Sequence, residues 1–439
     1  MSNSSDLQRS SRRDFLKTSA IIGSALAAPA ILPGRLFGAA NTDTLKVGLI
    51  GCGGRGSGAA QQALAADENV ILTAMGDVFQ KSLDNSLSSL KSDRTVGARV
   101  KVEPDHRFVG LDAFQKVIDS GVDVVILATP PGFRPQHLKA AVAAGKHIFC
   151  EKPVATDAPG VRSVFESVEE AKKKNLALVA GFCWRYNLAE RALFERVLAG
   201  EIGDVRVVYG TYYTGPVKPM PPASERPDGM GDVEWQLRNW YNFVWLCGDS
   251  LVEQAVHAVD WQCWAMNDVP PLKAVAVGGR QIPANGGHIF DHFEVNYEYA
   301  NGARAFLGSR QIPNCVNDNK ATIYGSKGEG YEMGFSGMPH IKVNGQTTWK
   351  YDGPRPDMYQ VEHNEMFASI RAGKPINNGT RLATSTLTAI MGRMAAYTGQ
   401  EVTWEKALNS QEALVPTDLK WDSTLTFPTV ALPGRTKFV

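Results

Sequence analysis

The chain contains 439 residues, of which 44% are hydrophobic and 21% are charged. This length exceeds that of one ordinary domain, so we expect two domains with enough apolar residues for a sizeable core. The 46 Lys and Arg residues nearly balance the 45 Asp and Glu residues. The composition therefore gives no electrostatic reason to expect a nucleic acid or an anionic membrane as a partner.

The N-terminal part of the chain, residues 1–40, differs from the rest. Residues 11–17 read SRRDFLK, an apolar and Ala-rich stretch follows at residues 21–32, and two small residues stand at Ala39 and Ala40. This pattern predicts a twin-arginine signal segment, and hence a periplasmic or exported protein that uses the twin-arginine export machinery. The alternative is a disordered leader with a chance Arg pair. Because the stretch is too short and too weakly apolar for a transmembrane helix, we do not expect an integral membrane protein.

Strands and helices alternate in the part of the chain that follows. In chain order we predict a strand at 46–50, a helix at 59–65, a strand at 70–75, a helix at 111–120, a strand at 122–128, a helix at 135–144 and a strand at 147–150. Such alternation is typical of a parallel, doubly wound sheet. We place this first α/β domain at residues 44–165.

The pattern changes in the second half of the chain. After a helix at 164–174, a strand at 177–181 and a helix at 191–199, longer alternating strands are predicted at 205–214, 273–278, 293–299 and 303–310, with closing helices at 358–371 and 381–397. Asn301 and Gly302 form a strong hairpin signal between two of these strands. We therefore predict a second α/β domain over residues 166–420 with a large, mostly antiparallel open sheet, and a tail over residues 421–439.

A glycine-rich turn joins the first predicted strand to the first helix. It contains Gly51, Gly53, Gly54, Arg55 and Gly56. In this GxGxxG spacing the first glycine permits a tight turn, and the second lets a pyrophosphate approach the main chain. The third glycine allows the helix to pack closely on the strand. Asp77 ends the second strand, where a carboxylate can accept both ribose hydroxyls and would repel a 2′-phosphate. We expect NAD rather than NADP; the alternative is an ordinary glycine turn without a ligand.

A charged pair follows the strand at 147–150. Glu151 and Lys152 lie at the carboxyl end of that strand, where open α/β sheets bind ligands, and the next residue is a proline that restricts the turn. The pair is equally compatible with a helix-capping carboxylate beside a surface lysine.

A second group of polar residues stands on one predicted helix. Glu253 and His257 are four residues apart, and Asp260 follows His257 by three, so the three share a face. Histidine suits proton transfer from a hydroxyl near neutral pH, and Glu253 could orient its ring. The alternative is a structural histidine. No HExxH motif or paired-histidine pattern indicates a metal site.

The six cysteines form no CxxC pair and match no zinc spacing. Most of them stand beside apolar runs, which favours buried free thiols over disulfides.

These motifs together resemble those of the Gfo/Idh/MocA oxidoreductases. The likeness rests on the glycine turn, the Thr129-Pro130 turn with His137, the Glu151-Lys152-Pro153 motif and the ExxxH helix, and it extends to residues 181–187, 359–363 and 403–405. The resemblance implies a Rossmann domain followed by an α/β domain whose open sheet often builds oligomers, so a homodimer or homotetramer is expected. It further implies that Lys152 lies beside the nicotinamide, and that Thr129, Pro130, His137 and Glu151 belong to the cofactor site.

The hypothesis that follows is hydride transfer from a carbinol carbon of a sugar or polyol to NAD. His257 would accept the hydroxyl proton, and Lys152 would stabilise the developing alkoxide. Glu253 would position His257. The expected substrate wall consists of Arg185, Tyr186, Asn187, Tyr241 and Asp260.

Two other functions remain open from the sequence. One is an NAD-dependent glycosidase or lyase that oxidises a glycoside transiently, eliminates the aglycone and returns the hydride. The other is a non-catalytic sugar-binding protein on a Rossmann frame, since a fold alone does not establish activity.

Overall fold

The computed structural model describes residues 43–426 and 429–439, and the predicted signal segment lies outside the described residues. The strands are β1 (Leu45–Ile50), β2 (Val70–Asp77), β3 (Arg107–Val109), β4 (Val124–Leu127), β5 (His147–Cys150), β6 (Leu178–Ala180), β7 (Val205–Thr214), β8 (Lys273–Gly279), β9 (His292–Glu298), β10 (Arg304–Gln311), β11 (Asp318–Gly325), β12 (Gly328–Glu332), β13 (His340–Val343), β14 (Gln346–Lys350) and β15 (Val402–Thr403).

The α-helices are α1 (Gly54–Ala66), α2 (Gln80–Ser92), α3 (Ala113–Asp119), α4 (Arg134–Ala143), α5 (Ala158–Lys173), α6 (Leu188–Leu198), α7 (Asp232–Arg238), α8 (Val244–Cys247), α9 (Val256–Ala265), α10 (Met358–Arg371), α11 (Gly379–Thr398) and α12 (Trp404–Asn409). A π-helical turn, Leu251–Ala255, leads directly into α9. Local side chains define several helix starts: Asp157 accepts a hydrogen bond from the Gly160 amide at 2.8 Å, and Asp357 accepts one from the Tyr359 amide at 3.0 Å.

The first six strands form a parallel sheet in the order β3-β2-β1-β4-β5-β6. Its central strand β4 is wholly buried, as a continuous apolar run predicts. The doubly wound first domain is therefore confirmed. Its sheet continues past the expected boundary at residue 165, because β6 pairs with β5 through Ile148 and Leu178. The strand that we assigned to the second domain thus completes the first.

The second sheet has nine strands in the order β14-β13-β12-β11-β7-β10-β9-β8-β15. Its neighbours are antiparallel except for β7 and β10, which run parallel. The mostly antiparallel sheet is confirmed, and the chain reverses between β9 and β10 at Asn301 and Gly302, where Gly302 has a φ of +81°. Helix α9 packs on β7, and α11 packs on β8 and β9, so one face of the sheet is covered.

Strands β11 to β14 were absent from the sequence-based assignment. Their residues are half-buried or exposed over most of their length, with buried positions confined to a few sites such as Ala321, Ile323 and Ile341. A strand with so few buried positions shows only a weak alternation of apolar and polar residues. The pairing of β11 with β7 stabilises the strand where the local sequence gives little preference for it.

The six cysteines are free, five of them buried and Cys315 exposed. Across residues 43–426 and 429–439, no helix combines the length and the hydrophobicity that crossing a membrane requires. No cluster of His, Cys, Asp or Glu side chains in the same residues is arranged to hold a metal ion.

Candidate active site

A cavity of about 820 Å³ begins at the carboxyl ends of the parallel strands and extends to residues of β7 and the π-helical turn. Open α/β sheets bind ligands at this edge, and a cavity of this size suits a cofactor and a small substrate. The structure brings these predicted residues to its wall: Gly51, Gly53, Gly54, Arg55, Gly56, Asp77, Thr129, Pro130, His137, Glu151, Lys152, Glu253 and His257.

The glycine turn has the shape that a pyrophosphate requires. Gly51 has a φ of +96°, and a side chain at Gly56 would overlap the main-chain oxygen of Gly51. No atom lies within 4 Å of a Cβ added at Gly53 or Gly54, so the main chain there faces open space. The turn opens α1, whose free amides and dipole favour an anion. The residues present therefore fit a dinucleotide.

Asp77 ends β2 beside this turn. Its Oδ2 accepts a hydrogen bond from the Cys52 amide at 2.7 Å, and its Oδ1 accepts one from the Phe79 amide at 2.8 Å. These bonds fix the carboxylate at the cavity wall, where its remaining lone pairs can accept ribose hydroxyls. Burial raises the pKa of Asp77, partly opposed by the backbone amides.

Lys152 follows β5 and reaches across to the π-helical turn. Its Nζ donates a hydrogen bond to the main-chain oxygen of Glu253 at 2.6 Å and lies 3.3 Å from Oε1 of the same residue. Both side chains are almost fully buried, and Oε2 of Glu253 has no hydrogen-bond partner. Glu253 therefore holds the ammonium of Lys152.

This pairing corrects the expected role of Glu253. No hydrogen bond joins Glu253 to His257, although both line the cavity. The reason is the π-helical turn over residues 251–255, which is wider than an α-helical turn, so residues four apart no longer lie directly above one another.

His257 stands at the start of α9 with its ring close to two aromatic residues. Phe182 contacts it edge-on at 6.2 Å between ring centroids, and Tyr212 lies nearly parallel at 6.3 Å. Its Nδ1 is buried without a hydrogen-bond partner. Burial, and next the charge of Lys152, hold the pKa of His257 well below its ordinary value, so the ring is neutral and can accept a proton.

His137 has a different environment. Its ring stacks on Phe114 at 4.1 Å and lies parallel to Phe133 at 6.0 Å. Burial, with Arg134 nearby, lowers the pKa of His137 to about 3. Its Nδ1 is 3.2 Å from the hydroxyl of Thr129, so the neutral ring fixes the Thr129-Pro130 turn at the cavity wall.

Arg55 joins the glycine turn to the second half of the chain. Its Nε donates to Oε1 of Glu151 at 2.6 Å, and its guanidinium lies 4.6 Å from the ring centroid of Tyr359. Nη2 is also 3.5 Å from Oε1 of Glu362, a wholly buried carboxyl whose pKa is raised by that burial. The sequence had indicated Tyr359 and Glu362 only as part of a family-like motif, without a role.

The structure does not bring the expected substrate wall to the cavity. Arg185 donates to Oδ2 of Asp260 at 2.7 Å in a buried ion pair, and Tyr241 pairs with the Gln311 amide. Tyr186 accepts from Asn378 at 3.0 Å, and Asn187 caps α6 through the Ala189 amide at 3.0 Å. We correct the assignment of Arg185, Tyr186, Asn187, Tyr241 and Asp260: their polar atoms hold the protein together internally.

Several residues at the substrate end were not predicted. Tyr212 donates to Oε1 of Gln254 at 3.0 Å, and Trp184 packs against Phe335 with 4.7 Å between ring centroids. All four line the cavity. Phe335 comes from the β12–β13 loop, distant in sequence, and only the alternation within β7 could have indicated Tyr212.

This fold and cavity define a two-domain protein of the dinucleotide-binding class. Two family models match the chain: "Oxidoreductase family, NAD-binding Rossmann fold" over residues 45–182 and "Oxidoreductase family, C-terminal alpha/beta domain" over residues 195–405. The chain therefore belongs to the Gfo/Idh/MocA oxidoreductase family. The first model extends through β6, in agreement with the sheet.

Similar proteins include an inositol 2-dehydrogenase of Acidiphilium cryptum, 32% identical over 38% of this chain and 46% of the relative. An inositol 2-dehydrogenase of Rhizobium meliloti is 24% identical over 65% of this chain and 74% of the relative. The first of these alignments thus spans about half of the relative's length.

Among solved structures, the aldose-aldose oxidoreductase of Caulobacter crescentus superposes with a TM-score of 0.63 at 20% identity, covering 82% of this chain and 99% of the other. Levoglucosan dehydrogenase, in complex with NADH and levoglucosan, gives a TM-score of 0.65 at 20% identity over the same shares. These likenesses establish the fold.

Proposed function

We propose that this protein is an NAD-dependent oxidoreductase that moves hydride between the carbinol carbon of a sugar or polyol and the nicotinamide. The observation that carries the proposal is the neutral His257, with an unpartnered Nδ1, in the same cavity as Lys152 and the glycine turn. The relatives named inositol 2-dehydrogenase support a polyhydroxylated ring as substrate.

Three residues have separate roles in the proposed oxidation. His257 accepts the proton of the substrate hydroxyl, because its buried ring is neutral at working pH and so has a free nitrogen lone pair. Lys152 donates a hydrogen bond to the same oxygen and stabilises the alkoxide charge that develops there. Glu253 holds the ammonium in place through its carbonyl and carboxylate. Bound NAD supplies the acceptor for the hydride that leaves the carbon.

The test is to supply NAD with myo-inositol, then with a panel of aldoses and polyols, and to follow NADH absorbance. We expect NADH formation with at least one member, lost in His257→Ala and retained in His292→Ala, a change outside the cavity. NAD reduction that continues unchanged without His257 would refute the assigned base.

We also propose export by the twin-arginine route, with a cofactor that is held tightly because no free NAD pool exists outside the cytoplasm. The SRRDFLK run at residues 11–17 supports this proposal. Arg12→Lys with Arg13→Lys should retain the protein in the cytoplasmic fraction, whereas Arg9→Lys should not. Equal export of both variants would contradict the route.

A homodimer or homotetramer is proposed through the open sheet. Its uncovered side exposes the apolar side chains of Tyr209, Val275, Val277 and Tyr324 on β7, β8 and β11, and exposed apolar residues of this kind mark interaction surfaces. Light scattering should find an oligomer that Val277→Asp dissociates. Val316→Asp, at an equally exposed valine in a loop, should leave it intact; a monomeric wild type would overturn the proposal.

A further inference from the structure

The cofactor cavity has a second wall that the Rossmann domain does not supply. Near Asp77, residues of the segment 216–240, between β7 and α8, line the cavity: Val217, Lys218, Leu237, Arg238 and Trp240. Leu237 and Trp240 belong to the same apolar cluster as Phe79 and Leu111 of the first domain, which also line the cavity. Because Asp77 marks the ribose end of a dinucleotide site, this wall faces the adenosine half.

Arg238 makes the most direct contact across this gap. Its guanidinium lies 4.5 Å from the ring centroid of Phe79, two residues beyond Asp77. Trp421 of the C-terminal tail approaches the same ring at 6.1 Å between centroids. Residues of the second domain and of the tail therefore bracket the loop that follows β2.

The wall is a packed structure. Val233, Leu237, Phe243 and Leu246 form a buried apolar cluster, against which Leu414 and, in the tail, Leu425 pack. We call residues 216–240 and 411–426 together the cover.

Polar bonds tie the parts of the cover to one another and to the body of the protein. Asp232 accepts from the Leu425 amide at 3.1 Å and pairs with Arg226 at 2.8 Å. The Leu414 amide donates to Asp157 at 2.8 Å, which anchors the segment before the tail at the start of α5. Both segments of the cover are thus held in place beside the cavity.

Two cations of the cover suit an anionic ligand. Lys218 donates to the main-chain oxygen of Arg238, and burial, with the charge of Arg238, lowers the pKa of Lys218. Arg238 also pairs with Glu234 at 2.7 Å, whereas Lys218 has no carboxylate partner among the described residues. A dinucleotide carries two negative phosphate groups, so a cation on this wall gains a favourable interaction when the dinucleotide binds.

We infer that the cover forms the second half of the cofactor site, and that Lys218, Arg238 and Trp421 slow the release of the adenosine half of NAD. This inference rests on the proposed function and adds to it the residues that retain the cofactor. Release requires the adenosine half to leave past a packed wall and two cations, so the cover acts mainly on the dissociation rate.

The experiment measures NADH dissociation by stopped-flow fluorescence after mixing the NADH complex of the full-length protein with excess NAD. Lys218→Met with Arg238→Met keeps the aliphatic stems and removes both charges; Trp421→Ala removes the contact of the tail with Phe79. We expect dissociation about tenfold faster or more in each variant, equivalent to a loss of about 1.4 kcal/mol. Lys139→Met with Arg435→Met, two exposed cations outside the cavity, is the charge-matched control and should match wild type.

Thermal unfolding without cofactor verifies that each variant is folded. Unchanged dissociation rates in the folded cover variants, or equal acceleration in the control, would overturn the inference while leaving the proposed function intact. A wild-type protein that binds no NADH would instead overturn the proposed function, so the two failures are distinguishable.

Discussion

The Nζ of Lys152 donates a 2.6 Å hydrogen bond to the main-chain oxygen of Glu253, which joins the end of β5 to the π-helical turn before His257. The ammonium is held by main chain as well as by a carboxylate, so its position depends little on one side-chain rotamer. This arrangement aims a cation at the point where an alkoxide would form.

Lys152→Met should lower kcat by roughly 10²–10³-fold, as the loss of one preorganised donor to a developing oxyanion does. Glu253→Gln should lower kcat less, because the main-chain oxygen still holds the ammonium. The measurement is steady-state kinetics with the best substrate of the panel. A larger loss in Glu253→Gln than in Lys152→Met would contradict this order.

The pH dependence of substrate oxidation should reflect the buried His257. Since burial and Lys152 hold the pKa of His257 well below its ordinary value, the ring stays neutral to a lower pH than an ordinary histidine does. We expect kcat/KM to remain flat between about pH 7.5 and about pH 6.5, where an ordinary histidine would already be half protonated. A decline with a midpoint near the ordinary histidine value would contradict the lowered pKa of His257. Rescue of His257→Ala by added imidazole tests separately whether this residue is the base.

Gly56→Ala should destabilise the first domain by about 1–3 kcal/mol, because the new methyl group would overlap the main-chain oxygen of Gly51. The matched control is Gly58→Ala in the same helix, where the nearest atom to an added Cβ is Arg55 Nη1 at 3.7 Å. That substitution should be neutral or stabilising by about 0.5–1 kcal/mol. Urea unfolding of both variants measures the difference, and equal effects would contradict the steric explanation.

Two buried carboxyls, Glu190 and Glu332, should make stability depend on pH. Trp261 donates to Oε2 of Glu190 at 3.1 Å, and Oε2 of Glu332 has no partner other than the neighbouring carboxyl. Burial, followed by the charge of Glu332, raises the pKa of Glu190, and burial raises the pKa of Glu332 to about 8.

The folded protein therefore binds protons that the unfolded chain releases, and its stability falls as the pH rises from about 4.5 towards 8. Glu332→Gln mimics the protonated form and should flatten this decline, so the variant should be the more stable protein at about pH 8. Thermal unfolding across the pH range tests this. Glu166→Gln, an exposed site, is the control; a wild-type slope retained in Glu332→Gln would contradict the raised pKa of Glu332 as the cause.

The features that the sequence predicted are those encoded by neighbouring residues. The glycine turn, Asp77 and Lys152 each follow a continuous apolar strand, and parallel strands bring such ends to one edge of a sheet. The local pattern of an apolar strand followed by a functional residue therefore sufficed to predict that these residues meet at a single cavity.

The features that were missed depend on distant parts of the chain. Arg185 follows a strand end as Lys152 does, yet its guanidinium turns inward because the buried carboxylate of Asp260 and the half-buried carboxylate of Asp268 pair with it. The π-helical turn changes the direction of Glu253 without any Gly or Pro to mark it. Lys218 and Arg238 line the same cavity as Asp77 because the cover packs there with residues of the tail, which no local pattern records.

Helix α10 has a consequence for the order in which this protein can be made. Met366 and Phe367 belong to the apolar core of the parallel sheet, Arg371 pairs with Asp67 at 2.7 Å, and Asn378 accepts from the Ala180 amide at 2.7 Å. N-terminal domains generally fold while the remainder is still being translated. Here the first domain lacks part of its core until residues 366–378 have been synthesised, so its folding can be completed only in the last steps of synthesis or after them.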